Sequence, residues 1–208
     1  MTRNLSNSIV KKIIMNGDIL SEYPDAIVPV NYDRPDLNLF EGRKLKGIWP
    51  DKVLVRVKGG FLIDYVKGIV DPMVSGRASN VIEGIAGSDI EFLPITLVDE
   101  STNTILSDDY WILNPLIIVD ALDWNETTWN PSKSTTNQPN FDDPIIHLRV
   151  IKPVLKYSLI SDLDIFRIRV GRKVTHDIFM SNDLVQELQK DQADLGMYFA
   201  TVNVNLEG

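Results

Sequence analysis

Apolar residues recur at helical spacing in two stretches of this chain and at strand spacing in most of the rest. In residues 71–98, DPMVSGRASNVIEGIAGSDIEFLPITLV, the side chains Ala78, Val81, Ile82 and Ile85 fall at i, i+3, i+4 and i+7 and place one apolar stripe on a helix. Ser75 stands in front of that stripe as the expected N-cap, its hydroxyl taking an otherwise unpaired N–H of the first turn. Gly84 and Gly87 are expected to end the helix. A strand over 90–98 should follow, with Ile90 and Phe92 on one face and Leu93, Ile95 and Leu97 on the other. Pro94 has no N–H to give to a ladder, so the strand is expected at an edge or with a bulge.

The second stretch, residues 177–204, DIFMSNDLVQELQKDQADLGMYFATVNV, repeats the outline. A shift of 106 positions brings Ser181 onto Ser75, Leu184 onto Ala78, Leu188 onto Ile82 and Tyr198-Phe199 onto Phe92-Leu93 without a gap. An internal duplication is one reading. The other is two unrelated Ser-capped helices between strands, a common arrangement. Around these units the pattern predicts short strands. Residues 52–57 alternate, Gly59-Gly60 turns, and 61–66 would close a hairpin. Residues 110–113 and 116–119 form a strand interrupted at Asn114-Pro115, and further strands fall in 145–150, 154–160 and 165–170. In the last, Phe166, Ile168 and Val170 share one face. Arg167 and Arg169 are expected on the other, exposed or paired with carboxylates. The fold class is α+β: a largely antiparallel sheet of short strands with a few helices, including two Ser-capped strand-helix-strand units. The expected organisation is a strand- and turn-rich segment at 1–60 followed by an α+β domain at 61–208, the whole chain being open to reading as one continuous domain.

Charge changes the picture once it is located. The 208 residues carry a net charge of −8, and residues 99–143 hold nine acids and one base, so the entire imbalance lies in that segment. Its later part, DWNETTWNPSKSTTNQPNFDDP, has no apolar periodicity and is long for a loop. A solvated face is one reading of these acids. The other is a surface that attracts a basic protein and repels nucleic acid. On that reading the partner-binding candidates are Asp108, Asp109, Asp120, Asp123, Asp142 and Asp143, with Trp124 and Trp129 as aromatic anchors or, alternatively, as lids folded onto the core. The chain has no cysteine and two histidines, His147 and His176, in no metal-ligand spacing. No P-loop, dinucleotide fingerprint or nucleophile elbow occurs. No cofactor, metal or catalytic residue is therefore expected. No run is long enough to span a membrane, and MTRNLSNSIVKKII is not built like a signal peptide, so a cytoplasmic location is expected.

Several of these features together resemble a known family. Residues 71–84 with the Val-Ser start, the strand IEFLPI, Tyr110-Trp111-Ile112-Leu113-Asn114 followed by Asp120-Ala121-Leu122-Asp123, then DIFRIRV, FMSNDLVQEL and LGMYFATV resemble a bacterial immunity-protein family of polymorphic toxin systems, typified by a myxobacterial member. The resemblance covers residues 61–204. It implies a protein that binds and neutralises a cognate toxin and does no chemistry of its own. It carries no site residues onto this chain. The alternative from a different class is a carboxylate-rich enzyme for a small ligand or metal ion, or a structural scaffold domain.

Overall fold

The computed structural model describes residues 10–15, 25–32, 41–67, 72–130 and 149–207. In chain order its strands are β1 (Val10–Met15), β2 (Val28–Tyr32), β3 (Leu54–Lys58), β4 (Tyr65–Lys67), β5 (Pro72–Ser75), β6 (Ile90–Asp99), β7 (Ile105–Pro115) and β8 (Ile118–Val119). They continue as β9 (Thr128–Asn130), β10 (Arg149–Lys152), β11 (Val154–Lys156), β12 (Ile165–Val170), β13 (Lys173–Val174), β14 (Phe179–Ser181) and β15 (Met197–Asn205). Helix α1 (Gly76–Ala86) lies between β5 and β6, and α2 (Asn182–Lys190) between β14 and β15. One sheet has the order β2-β3-β6-β7-β5-β4, the other runs β11-β15-β1-β14-β12-β13 with β8 beside β12, and β9 and β10 form a separate pair. Most strand pairs are antiparallel, as expected, and three, β3–β6, β11–β15 and β8–β12, are parallel, so the sheets are mixed.

Both helices begin as expected. The Ser75 hydroxyl accepts the Ala78 N–H and the Ser181 hydroxyl accepts the Leu184 N–H, each at 3.2 Å. Helix α1 continues through Gly84, however. It stops only where Gly87 takes φ +52, a left-handed conformation for which glycine is suited. Ala78, Ile82, Leu184 and Leu188 are fully buried and meet in one core with Val74, Ile90, Met180 and Met197. Each large aliphatic side chain removed from water there contributes roughly 1.5–3 kcal/mol. A second core lies within the first sheet, around Val55, Met73, Leu93, Ile95 and Ile112. A third lies within the second, around Val10, Leu155, Phe166, Phe179 and Val202. Strand β6 feeds two of them. Ile90 and Phe92 face the helices, while Leu93, Ile95 and Leu97 face the interior of the first sheet.

Pro94 does not place β6 at an edge. The strand is interior, with register shifts after Ile95, and the β3 ladder begins only at Thr96. Beside Pro94 that flank carries the loop before β3 instead of a strand, so its missing N–H breaks no ladder bond, and its carbonyl accepts the Trp49 indole N–H at 3.0 Å. The interruption expected at Asn114-Pro115 falls just after it: β7 ends at Pro115, and the chain resumes at Ile118 as β8 in the other sheet. The hairpin expected from Gly59-Gly60 does not form. Gly59, at φ +84, presses against the carbonyls of Asp25 and Ala26, leaving no room for a Cβ. The Gly60 and Phe61 amides bond the Asp25 carbonyl, and β3 pairs with β2 and β6. An Ala26–Phe61 bridge then draws the two ends of the first sheet together and curls it into a half-barrel. Arg167 also departs from expectation. Its side chain is buried, with the guanidinium donating to the carbonyls of Thr175 and His176, because the segment after β13 folds back over that face.

Five strands of each sheet repeat one another in order and direction. The series β3-β6-β7-β5-β4 and the series β11-β15-β1-β14-β12 have the same relative directions throughout. Tyr110 stands opposite both Ser75 and Ile95, and Val10 stands opposite both Ser181 and Val202. Tyr65 pairs Val74 as Ile165 pairs Met180. The ladders match Ile90 with Met197 and Phe92 with Phe199, so the ungapped alignment of the two stretches slips by one residue after the helices. Strand β1, from the beginning of the chain, occupies the place in the second sheet that β7 holds in the first.

Candidate partner interface

The acids of the middle segment are divided between the two halves. Asp99 and Glu100 sit at the β6–β7 turn. One oxygen of Asp99 accepts the amides and hydroxyls of Ser101 and Thr102, and the bond from Ser101 leads in holding its carboxyl down to about 2. Glu100 pairs with Lys58 at 3.4 Å. Asp108 and Asp109 are exposed on β7. The Asp109 carboxylate lies directly over Gly76, the first residue of α1, where a Cβ would collide with it. That places a negative charge at the positive end of a helix.

Asp120, Asp123 and Glu126 belong with the second sheet. Asp120 and Glu126 are exposed, whereas Asp123 is buried. It accepts the Asn205 side-chain amide at 2.7 Å and the Asn125 amide at 3.0 Å; the Asn205 bond is the main reason its carboxyl lies below the usual range. Asp123 thus ties a turn to the end of β15. Asp142, Asp143 and His147 lie outside the described residues. Trp124 and Trp129 come together edge to face, 6.3 Å between ring centres at 89°. Trp124 packs on the core of the second sheet, and Trp129 lies on β9 opposite Val150 of β10. Both are half-buried, with one aromatic pair joining the small β9–β10 ladder to the core.

The buried carboxylates spend their oxygens internally. Asp64 accepts the Ser75 hydroxyl at 2.6 Å, two N–H groups of Arg77 at 3.2 and 2.6 Å, and the Leu195 amide at 3.1 Å. Glu91 accepts the amides of Leu45 and Lys46 at 2.7 and 2.9 Å and the Asn114 side chain at 3.0 Å. Burial raises the Tyr65 phenol to about 12 and pushes the Tyr110 phenol above its ordinary value; Tyr110 donates to the Ile63 carbonyl at 2.5 Å. Among the described residues no three of His, Asp and Glu are grouped so as to hold a metal ion. The bonds to Asp64, Glu91 and Tyr110 lock backbone segments in place.

A cleft of about 480 Å³ beside α1 went unread in the sequence. Ile90, Phe92, Trp111 and Leu116 form its floor, and Lys44, Lys46, Asn80 and Glu83 its rim. No motif announces it, because its lining comes from a loop, a helix face and two strands far apart in the chain.

What fold and surface define is a duplicated β-rich scaffold with two capped helices at its centre and its polar groups turned to structural use. The model of the immunity protein family Imm11 matches residues 49–204, and the chain belongs to that family. No curated protein matches it. No helix among the described residues is long and apolar enough to cross a membrane.

Proposed function

We propose that this protein binds and neutralises a cognate bacterial toxin of a polymorphic toxin system in the cytoplasm, through a protein–protein interface and without catalysis. Membership of the immunity family carries the reading. The surface supports it in two places: the exposed Asp108-Asp109 pair on β7, and the Trp124–Trp129 pair with Asp120 and Glu126 nearby in sequence. A basic toxin would be drawn to such carboxylates over about 8 Å at physiological ionic strength, and nucleic acid would be repelled.

Co-expression with the toxin encoded by the neighbouring reading frame tests this. The wild-type chain should protect the cell. Asp108→Lys with Asp109→Lys should slow association in a salt-dependent way, and Trp124→Ala or Trp129→Ala should speed dissociation and cost about 2 kcal/mol or more if the ring is an interface anchor. Full protection by a folded protein carrying all four changes would leave these residues outside the interface.

A further inference from the structure

We propose that residues 191–196, which leave α2 and lead into β15, act as a strap between the two halves of the molecule, and that the strap grips the first half more tightly when Asp194 takes up a proton. The span is anchored at both ends in the second half. The Ala193 amide bonds the Leu188 carbonyl at 2.8 Å and the Met197 amide bonds the Asp194 carbonyl at 2.7 Å, with Ala193 and Met197 both buried in the core around the two helices. Between these anchors the chain reaches across. The Leu195 side chain packs against the core of the first sheet, its carbonyl accepts the Tyr65 amide at 3.0 Å, and its amide donates to Asp64 at 3.1 Å.

That grip brings carboxylates together. Asp64, just before β4, is buried and already holds the Ser75 hydroxyl and two nitrogens of Arg77, Nε at 3.2 Å and Nη2 at 2.6 Å. Asp194 is half-buried and directly precedes the residue whose amide Asp64 takes. Of the charged groups that bear on it, Asp64 opposes its ionisation, and Arg77 of α1 favours it but lays its N–H groups on Asp64. Tyr110 of β7 completes the group and stays protonated, since burial, Asp64 and Asp109 all push its phenol up and its hydrogen goes to the Ile63 carbonyl. At the end of α2, Lys190 is paired with Glu187 at 2.6 Å, with Asp191 beside it. Burial first, and then Asp64, raise the Asp194 carboxyl above its ordinary value, and its own amide and Arg77 offset only part of the rise. Closing the strap therefore favours the protonated acid.

The fold does not require a carboxylate at this place. Counted back from the matched Ile90 and Met197, the other half has Gly87 where the strap has Asp194, and Asp183 stands at the position of Arg77. The charges of the junction thus belong to one half, while the Asp–Ser pair beneath them is common to both. Because the closed strap binds the Asp194 proton more tightly than an open, solvated one does, this contribution is fully present below the ordinary aspartate value of about 3.9 and is lost as pH rises through the raised value of the closed state. Asp99 and Asp123, held below the usual range, change stability with the opposite sign.

Amide hydrogen exchange on the full chain tests this, with each rate referred to that of the unstructured amide at the same pH. Between about pH 7 and about pH 4, protection of the Leu195 and Tyr65 amides should rise about twofold or more relative to the interior amides of β6 and β7. Asp194→Asn, which carries no charge at any pH, should abolish that rise and protect both amides at neutral pH at least as well as the wild type does. Wild-type protection that stays flat or falls on acidification would overturn the proposal, as would an unchanged rise in Asp194→Asn. Loss of protection at neutral pH in a folded Asp194→Asn protein would overturn it too, by showing that the charge holds the strap closed. The wild-type measurement decides by itself if the variant fails to fold.

Discussion

Two serines and two aspartates perform the same task in the two halves. Ser75 accepts the Ala78 amide and donates to Asp64, whose main-chain carbonyl takes the Ser75 amide at 2.9 Å; Ser181 does the same with Leu184 and Asp164. Removing either hydroxyl leaves a helix N–H without its cap and takes one donor from a carboxylate. Ser75→Ala and Ser181→Ala should each cost about 1 kcal/mol in urea unfolding and leave toxin binding in place. Loss of protection by a fully folded Ser75→Ala protein would show a role beyond capping. The serines were legible, since a cap announces itself by standing before an apolar stripe. Their aspartates were not: they lie 11 and 17 positions upstream, and Asp64 draws a further donor, the Leu195 amide, from 131 positions away.

Single elements took their places through contacts that strand patterning does not reveal. Residues 91, 93, 95 and 97 of β6 point into the first sheet, so alternation puts the charged Glu91 at the end of an apolar row. It is tolerated because the loop before β3 brings it two amides, and the same loop buries Leu45 and Trp49 in that core. Glu91→Gln keeps one acceptor oxygen for three donors. It should destabilise the protein by about 1–3 kcal/mol and accelerate hydrogen exchange at Leu45 and Lys46 before other amides of the first sheet. Exchange unchanged at those two amides would mean that the loop is held mainly by its apolar contacts. Gly59 illustrates the same limit. Its glycine pair does mark a turn, yet the turn packs onto residues 25–26 and sends the chain to the far edge of the sheet.

At the scale of the whole molecule, β1 completes the second sheet from the wrong end of the chain. It lies between β14 and β15, as β7 lies between β5 and β6, and Val10 stands opposite Val202 near the end of β15. Joining Gly208 to Met1 would therefore make β15 and β1 consecutive antiparallel strands. A permuted chain opened between Leu20 and Ser21 should fold to the same structure and keep its protection against the toxin. Circular dichroism, thermal unfolding and exchange at β14 and β15 would check it. Unfolding of that permutant, or loss of slow exchange in β15, would show that β1 depends on its present connection to β2.

The sequence by itself determined the two capped helices, the abundance of short strands and the resemblance to an immunity family. Helical periodicity, capping and strand alternation are each set by residues within a few positions of one another. Only the tertiary structure decided which strands pair, since main-chain ladders form alike between many partners and the selection comes from how side chains fill three cores. It also decided the fate of the charges. Asp99 and Asp123 are held in turns, Arg167 is buried, and Asp108 and Asp109 stay at the surface, although all five look alike as charged residues in a string. The cleft beside α1 belongs to the same class of fact, for its floor and rim meet only when β6, β7, α1 and the loop before β3 have packed.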